Sequence, residues 1–410
     1  MKLKSIRSVV QLKGKTVLYR TAYDVPLKKS GTGMVVADDR RITESLPTLR
    51  YLLKKQCKIV VMPGWLGRPD GKVVESLKMD PVARALARLI KKPVTKLDDC
   101  VGPVVSRAIS KMKNGQIVML ENTRFYPEEM ADNKLFAALL VQGMDLICFD
   151  AFGHIHRVHA STTGITKLLP SYAGLLMEKE INELSKVTTK PKRPMVVVMG
   201  GAKISDKIHV LTTLVKHADR VLIGGGLANV FLKAQGVAVG KSYLEDVFVD
   251  SAQRKKVNTI DLARALLKQY KNKIIIPTDL VAGSKVDARA ATAVVDVAAG
   301  EHIRSDWMFL DIGPKTVAQY VTEIKRAKTI FFNGPMGVFE LKLFGMGTEK
   351  IARAIGQSLG TTIVGGGDTE IVADKYQLEK KFSHVSTGGG ASMAFLAGAT
   401  LPVLEKLIKK

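Results

Sequence analysis

Five times between residues 196 and 390 a short apolar run gives way to glycine. Val196–Met199 is followed by Gly200-Gly201, Val221–Ile223 by Gly224-Gly225-Gly226, and Thr329–Phe332 by Asn333-Gly334-Pro335-Met336-Gly337. Thr361–Val364 is followed by Gly365-Gly366-Gly367-Asp368-Thr369, and His384–Ser392 reads HVSTGGGAS. Short β-branched apolar runs bounded by glycine are buried strands. A glycine turn brings backbone N–H groups against a ligand with no Cβ in the way. Five such turns at strand ends predict one sheet edge built to approach a nucleotide. Asp368 and Thr369, placed where a helix begins, supply a carboxylate and a hydroxyl suited to a phosphate chain carrying Mg²⁺. None of these turns is a Walker loop: the nearest, Gly236–Ser242 (GVAVGKS), has its glycines one residue too close. No protein-kinase signature is present either. Lys203 and Lys207, four apart after a strand, are expected on one face of a first helical turn, pointing at phosphates.

The N-terminal half alternates in the same way. Strands are expected at Thr16–Tyr19, Lys58–Met62, Gln116–Leu120 and Leu146–Phe149, with helices at Leu46–Lys54 and Pro81–Ile90. That rhythm predicts a mostly parallel sheet with ligands at the carboxyl ends of its strands. Arg20, Arg68, Arg124 and Arg157 each follow a strand, and Arg41 follows the Asp38-Asp39-Arg40 turn. Guanidinium forks bind phosphate and carboxylate bidentately, so the cluster points to a multiply anionic substrate. His154, His156 and His159 lack the Glu or Cys partner of a hydrolytic zinc motif, and anion binding or loop packing is the better reading. The run 173–187 has helical spacing, and TTKPKRP after it is a polar break. Expected domains are therefore 1–172, an interdomain helix over 173–190, and 191–392.

Composition narrows the class without choosing a function. The chain has 410 residues, 46% hydrophobic and 25% charged, which suits a soluble globular protein of two or three domains. The basic N-terminus has no apolar core behind it, so a secretory signal is rejected. Three widely spaced cysteines suit neither a disulfide framework nor a zinc site, and a reduced cytoplasm is expected. The net charge of +25 is spread evenly: 32 Lys+Arg face 18 Asp+Glu in residues 1–190, and 31 face 20 in the rest. With few aromatics and no basic tail, no specific nucleic-acid binding is expected, and no membrane association.

The ordered stretches GKTVLYRTAYDVPL, DDRRI, WLGRP, ENTRFYPEE, DAFGHIHRVHAST, LMEKE, GGAKISDKI, IGGGLANVFLKAQG, DIGPKTV, FNGPMGVFE, IVGGGDT and HVSTGGGAS resemble the phosphoglycerate kinase family over nearly the whole chain. The resemblance implies an α/β fold of two doubly wound, Rossmann-like parallel-sheet domains facing a cleft, with residues 393–410 packing back on the N-terminal domain. It implies a monomeric, cytoplasmic glycolytic kinase, ATP-dependent with a carboxyl acceptor. The reaction is reversible transfer between 1,3-bisphosphoglycerate with ADP and 3-phosphoglycerate with ATP. Arg41, Lys203, Gly366 and Gly389 would neutralise the moving phosphoryl group. Arg20, Ala22, Asp24, Arg41, Trp65, Arg68, Arg124 and Arg157 would line the substrate site. Gly201, Lys207, Gly225, Asn333, Glu340, Gly365, Gly366, Gly367, Asp368 and Thr369 would hold the nucleotide, with Glu340 on the ribose and Asp368 toward Mg²⁺.

Departures from the family pattern gather in the substrate half. The family usually has Asp where Ala22 stands, Asn where Asp24 stands, and Ser-His where Gly64-Trp65 stands; near the base pocket Phe309 replaces a usual glycine. Ala22 and Asp24 face the same way in an extended segment, so the carboxylate has moved by about 6–7 Å. It then either keeps a contact to the substrate hydroxyl or repels the substrate carboxylate. A divergent paralogue acting on a related carboxylate, or with reduced activity, is the alternative reading.

Overall fold

A computed structural model describes residues 1–31, 33–205, 207–250 and 255–409. The chain divides into two compact units, Met1–Asn182 with Thr400–Lys410, and Glu183–Ala399. The division falls inside a single helix, Leu175–Thr188.

The first unit is built on six parallel strands: β1 (Thr16–Arg20), β2 (Lys58–Met62), β3 (Thr95–Lys96), β4 (Ile117–Met119), β5 (Leu146–Phe149) and β6 (Ser171–Ala173). Their order across the sheet is β3-β4-β2-β1-β5-β6. All five residues of β1 are buried, as are all of β4 and β5, because helices cover both faces. β1 pairs with β2 on one side and β5 on the other. The loops leaving these three strands therefore converge at the point where the winding reverses, which is where ligands bind in open α/β sheets.

One helix differs from expectation. The sequence reading started it at Leu46 beside Pro47; it runs Arg40–Lys54, straight through the proline. Pro47 removes one backbone donor, but Ile42, Leu46, Leu49 and Leu52 form one buried face that holds the turn on either side of it. Arg41 therefore sits in the first turn of a helix, not in a loop.

The unit is closed by residues from the far end of the sequence. Helix Pro402–Leu407 leads to an antiparallel bridge between Leu3 and Ile408, and Ser5 bridges Ala173 at β6. Residues 393–399, expected with this returning segment, belong to the second unit. There helix Gly390–Leu396 ends, and the Ala397 carbonyl accepts a hydrogen bond from Thr213 Oγ1 at 3.2 Å.

The second unit carries β7 (Met195–Met199), β8 (Arg220–Ile223), β9 (Ile274–Ile275), β10 (Thr329–Asn333), β11 (Thr361–Val364) and β12 (His384–Val385). Their order is β9-β8-β7-β10-β11-β12, all parallel. The strand order reverses between β7 and β10, so their loops and the β8 and β11 loops share one edge. A three-stranded antiparallel sheet (Leu280–Gly283, Thr292–Val295 and Met308–Ile312) adds a separate apolar cluster that includes Leu232, Val239 and Phe309. Among the described residues no helix is long and apolar enough to cross a membrane.

Candidate active site

Two groups of residues stand at the two sheet edges, each within its own unit. In the first, Arg20 ends β1 and is fully buried. Its guanidinium donates to the Ser161 carbonyl (Nε, 2.8 Å), to Ser161 Oγ (Nη2, 3.1 Å) and to the Thr21 carbonyl, and its Nη2 lies 3.2 Å from His154 Nδ1. Burial brings its pKa down to about 10. The sequence reading grouped Arg20 with the arginines of the anion cluster; in the structure its guanidinium donates to internal acceptors. A Cβ on Gly64, at φ +83°, would lie 2.5 Å from the Arg20 guanidinium, so that glycine is required by the buried arginine.

Trp65 is the floor of this edge. It is 5% exposed, stacked on His154 with ring centroids 4.0 Å apart, and Arg124 Cζ lies 4.4 Å from its ring centre. Such a cation over an indole face stabilises the pair by roughly 0.5–2 kcal/mol. Arg124 also donates to the Gly67 carbonyl at 2.9 Å. The Arg124 turn is locked to the Trp65 loop by Asn122, whose Nδ2 donates to the Leu66 carbonyl (2.8 Å) and whose Oδ1 accepts from Arg124 N (3.1 Å). Arg68 and Arg157 are exposed. Burial lowers the Arg124 pKa, and Arg157 and Arg68 push it further the same way, which gathers these three cations at one place. Ala22 is half-buried on the segment leaving β1.

Asp24 has partners within the protein. Its carboxylate pairs with Arg41 Nη1 and lies 3.3 Å from His154 Nε2. Burial alone would raise its pKa; His154 and Arg41 outweigh that and hold it well below the usual carboxylate range. Asp24 is thus committed to the protein's own groups rather than left as an unpaired charge facing a substrate carboxylate. His156 and His159 lie between short helical turns, and His159 Nδ1 sits 3.8 Å from the buried Glu129. Glu129, which sequence reasoning missed, accepts from Ser161 N and Oγ at 3.0 and 2.5 Å and so fixes the residue that holds Arg20.

At the second edge the glycines divide into two kinds. A Cβ on Gly200, Gly225 or Gly334 would meet the backbone of a facing turn at 2.1, 2.6 and 2.4 Å, so these turns interlock with one another. Around Gly367, Gly389 and Gly390 a Cβ would meet nothing within 4 Å. Those three, with Gly366, Lys207, Asn333, Asp368 and Thr369, line a cavity of about 670 Å³. A second cavity of about 360 Å³ runs past Gly201, Gly225, Asn229, Phe309, Glu340 and Asp368. Asp368 therefore borders both, on the exposed first turn of helix Gly367–Lys375. Lys203 and Lys207 precede the helix, which begins at Ile208, so they are not on its first turn as the spacing predicted. Lys203 is exposed, and the Lys207 chain passes where a Gly201 Cβ would stand.

Thr369 is buried, accepts from Gly334 N at 2.7 Å and donates to the Gly365 carbonyl at 3.0 Å, tying two glycine turns together. Asn333 Nδ2 donates to the same carbonyl at 2.6 Å, while its Oδ1 is buried without a hydrogen-bond partner beside the larger cavity. Phe309 packs into the antiparallel-sheet cluster and forms part of the smaller cavity's wall.

Paired doubly wound sheets, one edged with arginines and one with open glycine turns and lysines, define an α/β phosphotransferase. A sequence model of phosphoglycerate kinase matches residues 6–399. A phosphoglycerate kinase from Pelotomaculum thermopropionicum is 43% identical over the full length of both chains, and one from Dictyoglomus turgidum is 45% identical over 97% of each. The structure of phosphoglycerate kinase from Coxiella burnetii superposes with a TM-score of 0.84 at 33% identity, covering 98% of both chains. That from Pyrococcus horikoshii OT3 gives 0.82 at 30% identity, with the same coverage. The chain belongs to the phosphoglycerate kinase family.

Proposed function

We propose that the chain catalyses reversible phosphoryl transfer between 1,3-bisphosphoglycerate with ADP and 3-phosphoglycerate with ATP, as a cytoplasmic monomer in glycolysis and gluconeogenesis. The observation that carries this reading is the division of chemistry between the two sheet edges of a phosphoglycerate kinase fold: converging cations on one, open glycine turns on the other. The acceptor is already a carboxylate, so no general base is needed; positioning and charge neutralisation do the work.

Arg68, Arg124 and Arg157 hold the substrate phosphate above the Trp65 floor, with Ala22 beside it and Asp24 set back against Arg41. Arg20 supports this edge from below. Arg41 and Lys203 neutralise the phosphoryl group in flight, with the amides of Gly366 and Gly389. Lys207, Asn333, Gly365 and Gly367 receive the nucleotide phosphates, Glu340 the ribose, and the Gly201–Gly225 side the base. Thr369 acts by keeping the turns in register. The exposed Asp368 carboxylate between two cavities suits Mg²⁺, which takes one or two carboxylates and otherwise phosphate oxygens and water. Bound there, Mg²⁺ would offset phosphate charge. Cys57, Cys100 and Cys148 are buried thiols, consistent with a reducing compartment.

Coupled measurement of ATP consumption with 3-phosphoglycerate tests the activity; no turnover would refute it. For the nucleotide site, Asp368→Ala is expected to weaken MgATP binding about 10- to 100-fold in calorimetry, in proportion to the loss of a charged ligand partner. Equal affinity in the variant would remove Asp368 from the metal role.

A further inference from the structure

His154 connects two residues that the proposed chemistry treats separately. Its ring is buried, 3% exposed, and lies nearly parallel to Trp65 at an interplanar angle of 21°. On one edge Nδ1 faces Arg20 Nη2 at 3.2 Å; on the other Nε2 faces Asp24 Oδ1 at 3.3 Å. Arginine only donates, so Nδ1 must accept and the ring proton must sit on Nε2. Nε2 and Asp24 Oδ1 are therefore neighbours at 3.3 Å, coupled electrostatically and not by a hydrogen bond. The same carboxylate oxygen pairs with Arg41 Nη1, which also donates to the Asp24 carbonyl at 3.3 Å. Four side chains thus run in series from the interior to the sheet edge: Arg20, His154, Asp24, Arg41.

Packing alone does not require this arrangement. A phenyl ring would stack on Trp65 as well, without the cost of burying two ring nitrogens. Burial takes the His154 pKa down to about 4, so at neutral pH the ring is an uncharged bridge between two ionic groups.

We propose that His154 is a positioning residue for Arg41: Arg20 sets its tautomer, and its Nε2–H dipole, 3.3 Å from Oδ1, favours the Asp24 carboxylate position that pairs with the Arg41 guanidinium. The substrate carboxyl then meets a pre-oriented arginine whose counter-ion is already in place. The proposal rests on the reading that Arg41 serves phosphoryl transfer. It also gives the Asp24 departure a use, since a neutral amide there would not hold Arg41 by charge.

Two substitutions and one spectrum test it. His154→Phe keeps the stack on Trp65 and removes both nitrogens; His154→Gln places an amide N–H near the former Nε2. With 3-phosphoglycerate and MgATP, His154→Phe should lose about tenfold or more in kcat, since small misplacement of a charged group has effects of that order. Its KM for ATP should stay at the wild-type value, and His154→Gln should recover most of the loss. Both should melt within a few degrees of wild type. Nitrogen-15 spectra of the wild-type imidazole should show a protonated Nε2 and a bare Nδ1. Full kcat in His154→Phe, a Gln variant no better than Phe, or a proton on Nδ1 would overturn the proposal. A wild type with no 3-phosphoglycerate-dependent turnover would refute the functional reading instead, and the tautomer would still decide whether the array exists.

Discussion

Replacing Arg41 with alanine should lower kcat with 3-phosphoglycerate by about 10²–10³-fold, the range seen when one pre-placed donor to developing charge is removed. The expectation comes from where Arg41 stands. It occupies the first turn of the helix Arg40–Lys54, and its guanidinium is paired with Asp24, itself faced by His154. An arginine on a regular element with its counter-ion fixed has little reorganisation left to do when the phosphoryl group arrives. The KM for ATP should change little, because Arg41 belongs to the first unit and the glycine-lined cavities to the second. Steady-state kinetics of the two substrates separate these terms. A fall in kcat of less than about threefold would take the neutralising role away from Arg41, since one donor contributes far more.

Arg20→Met should have the largest effect on stability, a loss of about 3–5 kcal/mol in the first unit, as for a buried ionic group removed from its partners. Methionine fills much of the volume but donates nothing. The Ser161 carbonyl, Ser161 Oγ and His154 Nδ1 would each lose the donor they now face. Glu129 and Asp24, whose charges favour the Arg20 cation, would lose a neighbouring positive charge. Scanning calorimetry of the whole chain, with Arg68→Ala as the exposed comparison, checks this; the latter should shift stability by less than about 0.5 kcal/mol. An Arg20→Met protein that melted with wild type would mean that the buried guanidinium is replaceable by packing.

Both predictions concern arginines of the first unit, and the sequence alone did not tell their depths apart. Strand existence was legible because β-branched runs end in glycine or polar turns, and Lys58–Met62 was recovered residue for residue. Pro47 hid the first two turns of its helix, since local propensity weighed more in the reading than a buried face visible only after folding. For the arginines, position after a strand gave the edge but not the depth. Arg20 is drawn inward because Ser161, twelve residues past β5, supplies acceptors that no local pattern announces.

The glycines show the same limit. All five clusters were read as backbone brought near a ligand. Gly200, Gly225 and Gly334 are small because three turns press on each other, while Gly367, Gly389 and Gly390 open onto empty space. Either demand selects glycine, so composition is silent about which applies. Asp24 was legible as a departure, but its pairing was not, because His154 reaches it from the loop after β5.

The Leu3–Ile408 bridge has a consequence for the order of events during synthesis. The first unit needs residues 400–409 to complete its surface, with Lys4 N bonded to the Leu407 carbonyl at 2.7 Å and Lys409 N to the Lys2 carbonyl at 2.9 Å. Those residues leave the ribosome only after the entire second unit. The N-terminal sheet is therefore made first and finished last, which reverses the usual sequence in which the earlier domain folds to completion as the later one emerges. While translation proceeds, the N-terminal segment that bridges β6 keeps its outer side unpaired, and the segment after Ala399 supplies its partner.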